Sequence, residues 1–276
     1  MNFSMQPPIL LYVVACAGYA CAALVEWRAF AVPDLRGGAM LRTERLALPL
    51  VFIVHAVLVV RAVLTPQGID LSLANAVSAV ACVTAVVAWL GALSRGVPGV
   101  TGILLPIAAI AALLPALFRN PHRYTFGEAP LAALHIGVAL VAYALLIVAA
   151  LQALLLIGFE RRLHAGRPGA GSAAMPPLLT LEALTFRVLG LGFALLTATL
   201  ASGILFSEEV FGKPLTFTHK VVFSMLSWVV FGALLFGRHR YGWRGRAALQ
   251  WLVAGTVLLV LAYLGSKFVL EVLLGR

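Results

Sequence analysis

LHIGVALVAYALLIVAALQALLLIGFERRL (134–163) holds 24 residues, from Ile136 to Phe159, without one charged side chain. The hydrocarbon core of a bilayer is about 30 Å thick and needs roughly 20 apolar residues of helix to cross it. A soluble core has no use for a run this long. The stretch also ends on Glu160, Arg161 and Arg162, the kind of charged collar that stops a helix at a headgroup layer.

Working outward, the same pattern recurs along the chain. Spans are expected at about 7–27, 46–64, 71–93, 99–118, 129–159, 178–206, 215–237 and 245–272. Gly- and Pro-rich stretches separate them, as in RGVPGV (95–100) and GRPGAGSAAMPP (166–177). The expected fold is therefore all-α, a polytopic integral membrane protein of about eight helices forming one transmembrane domain over residues 1–276. Charged residues make up 11% of the chain, against about 25% in soluble domains, and mean hydropathy is +1.03. The amino-terminal run lacks a basic leader and is too long for a signal-peptide core, so it reads as a retained first helix.

The net charge of +10 does not point to nucleic acid. Its arginines lie in short inter-span segments, where they orient the chain and meet anionic headgroups. One alternate set holds Arg28, Arg36, Arg42, Arg45, Arg95, Arg161, Arg162, Arg167, Arg238, Arg240, Arg244 and Arg246. The opposite set holds Arg61, Arg119, Arg123 and Lys213. The positive-inside rule puts the first set in the cytoplasm and both termini on the outer, periplasmic side of a bacterial inner membrane. Cys16, Cys21 and Cys82 form no CxxC pair and read as small apolar residues. No Walker A motif, nucleophile elbow or HExxH occurs, so no bond-making chemistry of its own is expected.

Ionisable residues inside a span are the natural place to look for function. His135 and His219 each lie a few residues into a span that enters from the outer side, at similar depth. His55 lies near the middle of the second span. Two imidazoles on separate helices could clamp haem b non-covalently, because neutral imidazole ligates iron from either axial face. Lys220, Arg119, Arg123 and Arg61 fall on the same outer side as partners for propionates. Trp228, nine residues after His219, could line the pocket or fill the core. The residues alone also allow His135 and His219 to be interfacial or capping side chains. They allow His55 to be either a further metal ligand or a hydrogen-bonding group across helices. Glu182 and Arg187 lie near the start of the sixth span, where they could pair in a structural role, and Glu208 and Glu209 form an acidic spot in an outer loop.

The segment 134–163, then PPLLTLEALTFRVLGLGFALLTATLASG (176–203), THKVVFSMLSWVVFGALLFGRHRYGWRGRAALQWLVAG (218–255) and AYLGSKF (262–268), resemble the cytochrome c assembly family of CcsA, CcmC and CcmF. The nearest look is to its YpjD- and HemX-like members. The resemblance covers residues 130–272. It implies haem handling at the outer face of the cytoplasmic membrane, with His135 and His219 as the paired outer-face histidines. It also implies haem, the lipid bilayer and other membrane proteins of cytochrome c or haem maturation as partners. Haem-delivering members carry a tryptophan-rich WWD segment between these histidines. Here the outer loop is SEEVFGKPLTF (207–217), without tryptophan. A haem-binding accessory, or a membrane protein acting on tetrapyrrole supply, fits that shorter loop better than a full delivery platform. A transporter of haem or a lipophilic molecule, and a ligand-free scaffold for another membrane protein, are the rival readings.

Overall fold

The computed structural model describes residues 8–31, 46–65, 68–93, 99–118, 123–124, 130–166, 177–205 and 218–273. Eight helices account for nearly all of them: α1 (Ile9–Ala31), α2 (Leu48–Val63), α3 (Leu73–Leu93), α4 (Val100–Leu117), α5 (Pro130–His164), α6 (Leu178–Leu205), α7 (His219–Tyr241) and α8, which begins at Arg246. α8 is α-helical to Val260, widens into a π-turn at Leu261–Gly265, and continues through Ser266–Phe268 and Val269–Leu273. Seven of the eight are long and apolar enough to cross a membrane. The exception, α2, has 16 residues. At 1.5 Å per residue it spans about 24 Å, slightly less than the hydrocarbon layer. The chain is thus a multi-pass, all-α membrane protein, with each helix inside or close to its expected span. Helices pair most of their backbone N–H and C=O groups internally, which lipid cannot do for them.

The helices group into two compact units. In the first, α1 packs on α4 and α2, and α3 packs on α4 and α2. Its core combines large rings and leucines (Tyr12, Tyr19, Leu48, Phe52, Leu58, Leu105) with a lining of alanines such as Ala15, Ala22, Ala108 and Ala112. Small residues let helix backbones approach closely where burial of apolar surface supplies no drive. Gly18 shows this, since a Cβ there would fall 2.6 Å from the Val51 side chain. A three-stranded antiparallel patch closes one end: β1 (Leu64–Thr65) pairs with β2 (Gly68–Asp70), and β2 with β3 (Arg123–Tyr124). Gly68 takes φ 127°, which a side chain would resist. Asn75 fastens this patch, its Nδ2 donating to the carbonyls of Ala62 and Asp70.

The second unit is a ring of four helices in which α5 packs on α6, α6 on α7, α7 on α8 and α8 on α5. Cross-links show each neighbouring pair to be antiparallel. Glu182 at the start of α6 meets Arg238 at the end of α7. Tyr143 in α5 donates to the carbonyl of Leu259 in the middle of α8, and three residues further along α5 the Leu146 carbonyl accepts from Thr256, three residues earlier in α8. At the α7–α8 crossing, the Ser227 hydroxyl donates to the Gly255 carbonyl at 2.8 Å. A Cβ on Gly255 would fall 2.7 Å from the Phe231 ring, so that crossing needs glycine. Leu146, Leu181, Leu189, Leu196, Phe231, Leu234, Leu252 and Leu259 fill the interior.

The ring has two polar ends. At one, the Glu182 carboxylate accepts from Arg238 Nη1 at 2.6 Å and from the Gly245 N–H that opens α8. Its candidate partner Arg187 is replaced by Arg238. Five residues of helix carry a side chain about 140° around the axis, so Arg187 cannot share the face of Glu182. At the opposite end lie His135, Ser202, His219 and Lys267, close to the start or finish of their helices.

Candidate haem site at one end of the second unit

His135 stands five residues into α5 and is half-buried against the end of α6. Its Nδ1 lies 2.8 Å from Ser202 Oγ, and the Ser202 hydroxyl donates to the Thr199 carbonyl at 3.0 Å. A serine has one O–H, so with that hydrogen directed at Thr199, Oγ accepts from the histidine. The neutral ring then carries its proton on Nδ1 and its lone pair on Nε2. Metal-ligating histidines are ordinarily held in this way, with the second nitrogen donating to a protein oxygen that fixes tautomer and ring plane. Gly203 flanks the ring: a Cβ built there would stand 3.4 Å from His135 Cε1. The glycine keeps the space beside the imidazole narrow but open.

His219 is the first residue of α7 and is exposed, with Lys220 beside it. Antiparallel order places it at the same end of the ring as His135. The Lys220 ammonium sits 4.7 Å from the centre of the Tyr263 ring on α8, and it exerts a Coulombic influence on His135. Trp228 stacks on Phe193 of α6, with ring centres 5.7 Å apart and planes 21° apart. Its Nε1 donates to Thr197 Oγ1 at 2.8 Å. This aromatic pair forms a flat apolar wall about 13 Å along α7 from His219.

The remaining sequence candidates belong to the first unit. His55 is fully buried, with Nδ1 2.9 Å from the Tyr19 hydroxyl and Nε2 3.0 Å from Ser78 Oγ. Of its two readings, hydrogen bonding across helices is the arrangement observed: α1, α2 and α3 are pinned through one ring. Iron ligation would require one of those bonds to be given up. Arg61 is exposed in the last turn of α2. Arg123 lies in β3, its backbone paired with Asp70. Arg119, Glu208 and Glu209 lie outside the described residues.

Among the described residues, no three of His, Cys, Asp and Glu gather into a chelating group. A porphyrin brings four equatorial nitrogens of its own and asks the protein for axial ligands and an apolar slot. Two residues at this end escaped the sequence reading: Ser202, which orients His135, and Lys267, which is buried beside Glu271 and Tyr263. An i,i+4 Lys–Glu spacing near the end of an apolar span was the available signal for the second.

Comparison with known proteins identifies the family of the chain. The family model described as Cytochrome C assembly protein matches residues 44–274, so the likeness reaches back through α2, α3 and α4 as well. The chain is 33% identical to the inner membrane protein YpjD of Escherichia coli K12, over 92% of this chain and 98% of that protein. It is 33% identical to the cytochrome c biogenesis protein CcsA of Gloeobacter violaceus over 33% of this chain and 27% of that one. The CcsA of Microcystis aeruginosa gives 35% over 31% and 26%. No solved structure matches. The chain therefore belongs to the cytochrome c assembly protein family, as a multi-pass protein of the bacterial inner membrane.

Proposed function

We propose that this protein binds haem b at the outer end of its second unit and holds it for cytochrome c assembly, without making or breaking bonds itself. Membership of the assembly family and the CcsA relatives support a role in cytochrome c biogenesis. The observation that supports the haem reading is the Thr199–Ser202–His135 chain, which holds the imidazole by its Nδ1 edge, the kind of support that metal-ligating histidines have. His135 and His219 would hold the haem iron, and Lys220 would pair with a propionate. Haem when bound supplies an iron whose redox state depends on axial ligands and on dryness. The chain's own part is to position two imidazoles, exclude water and offer cations.

The test is the visible spectrum of the detergent-purified protein, oxidised and reduced, for wild type, His135→Ala and His219→Ala. A Soret band with sharp low-spin reduced bands in wild type, lost in either variant, is the expected result. A wild-type protein that stays colourless after addition of hemin would overturn it and bring the scaffold and transporter readings forward.

A further inference from the structure

The turn between α7 and α8, at the end of the second unit opposite His135, has a fixed geometry that the haem reading leaves unused. Gly242 takes φ 68° and closes α7, its N–H donating to the Arg238 carbonyl at 3.1 Å, while the Trp243 N–H donates to the Gly237 carbonyl at 3.3 Å. The Trp243 ring lies against Gly237, where a Cβ would collide with it. Gly245 takes φ 74° and opens α8. These glycines and backbone bonds fix the positions of Trp243 and Arg244. Beside the turn is a cavity of about 260 Å³, lined by Leu179, Glu182, Arg238, Gly242, Trp243 and Arg244.

The two arginines of this cavity are engaged differently. Arg238 is held by Glu182 and by the Phe186 ring, whose centre is 3.8 Å from the guanidinium carbon. Arg244 donates through Nε to the Gly242 carbonyl at 3.3 Å, and among the described residues no carboxylate pairs with it or with Arg240 and Arg246. Glu182 is committed to Arg238 and the Gly245 N–H. A guanidinium with its two terminal nitrogens uncommitted matches the oxygens of a phosphate group. The apolar surroundings indicate what carries that phosphate. Phe236, Tyr241 and Trp243 are exposed and form a chain of ring contacts, with successive centres 6.2 and 6.3 Å apart. Val229 and Val222 continue from Phe236 as an exposed stripe at seven-residue spacing, on one face of α7. From Phe236 to Val222 the stripe runs about 21 Å, enough to cover the roughly 15 Å of hydrocarbon in one leaflet. Exposed aromatic rings above such a stripe mark the headgroup boundary. We propose that the α7–α8 turn binds the phosphate of an anionic phospholipid. Arg244 is the principal donor, and the acyl chain lies along Phe236, Val229 and Val222. A zwitterionic headgroup is disfavoured, because its ammonium would meet Arg240, Arg244 and Arg246. Basic pockets between membrane helices take anionic headgroups for this reason.

The experiment is native mass spectrometry of the delipidated full chain, mixed with phosphatidylglycerol or with phosphatidylethanolamine of the same acyl chains. Wild type should retain phosphatidylglycerol about fivefold better, the scale of one arginine beside an anionic lipid. Arg244→Gln, an exposed change that strands no carboxylate, should lower phosphatidylglycerol retention about fivefold and leave phosphatidylethanolamine unchanged. An Arg161→Gln, Arg162→Gln double variant removes two charges from the last turn of α5, at the same end of the unit. It should retain both lipids within about twofold of wild type, because charges beyond about 10 Å are screened. Equal retention of the two lipids by wild type, or a loss in the double variant as large as in Arg244→Gln, would overturn the site in favour of general charge attraction. Displacement of phosphatidylglycerol by an equal concentration of glycerol 3-phosphate would overturn the lipid and leave a soluble phosphate as the ligand.

Discussion

His55 and His135 put the same side chain into the same kind of helix bundle, and their surroundings give it opposite work. His55 has hydroxyls at both ring nitrogens, one from α1 and one from α3. His135 has a hydroxyl at Nδ1 whose own hydrogen is already committed to a carbonyl, so the ring donates there and keeps Nε2 as an acceptor. The first arrangement is a pin that joins three helices. The second holds the ring by its Nδ1 edge at the end of the bundle. In lipid, where unsatisfied polar groups are costly, the partners of a histidine decide whether it is structure or ligand.

The largest expected effect comes from exchanging the two roles. His135→Leu should abolish the low-spin haem spectrum while leaving thermal stability within about 1 kcal/mol of wild type, since the hydrogen bond to Ser202 that it removes is half-exposed. His55→Leu should do the reverse. It strands the Tyr19 and Ser78 hydroxyls in the core and should destabilise the first unit by about 2–4 kcal/mol. A normal spectrum should remain in whatever protein folds. Spectra and detergent melting curves of the two variants check both halves. If His55→Leu bleaches the protein without destabilising it, the contrast between pin and ligand fails.

The next effect is at the opposite end of the second unit. Glu182→Gln removes the carboxylate that Arg238 and the Gly245 N–H share, in a pair where the arginine is 27% exposed. Full burial would make this cost 3–5 kcal/mol; partial exposure brings the expectation to about 1–3 kcal/mol. Hemin affinity should not change, because the site lies at the other end of α6 and α7. A shift in hemin binding without a shift in melting would contradict the division into two polar ends.

Finer effects surround His135 itself. Ser202→Ala leaves the histidine in place and removes the oxygen that orients it. Loss of such supporting bonds ordinarily costs 10–100-fold in metal affinity, so hemin should weaken by about tenfold with its bis-histidine spectrum retained. Gly203→Ala is the mildest change. Its Cβ would stand 3.4 Å from His135 Cε1, so a small spectral shift and no more than about threefold weaker binding are expected. Gly203→Val, with two further carbons against the same ring, should weaken hemin more than alanine does. Titrations of the three variants rank them.

How much of this was legible beforehand differs between backbone and site. The spans could be read from the chain because bilayer thickness is an external ruler: Ile136–Phe159 has to be a helix whatever it packs against. His135, His219 and Lys220 stood out because ionisable groups are rare in such runs. What could not be read depends on rotation about each helix axis and on neighbours far along the chain. Glu182 meets Arg238 rather than Arg187, a pairing 56 residues apart. His55 meets Tyr19 and Ser78, 36 and 23 residues away. Lys267 turns inward at a point where α8 leaves regular α geometry, which no periodic reading anticipates.

The sequence by itself determined a multi-pass helical membrane protein and a short set of polar residues that lipid would not accept idly. Tertiary structure decided which of those residues are satisfied within the bundle and which are presented at its end. Hydrophobicity is a sum along the chain and survives any packing. A hydrogen bond needs two groups within about 3 Å at a set angle, and only the packed helices bring them there.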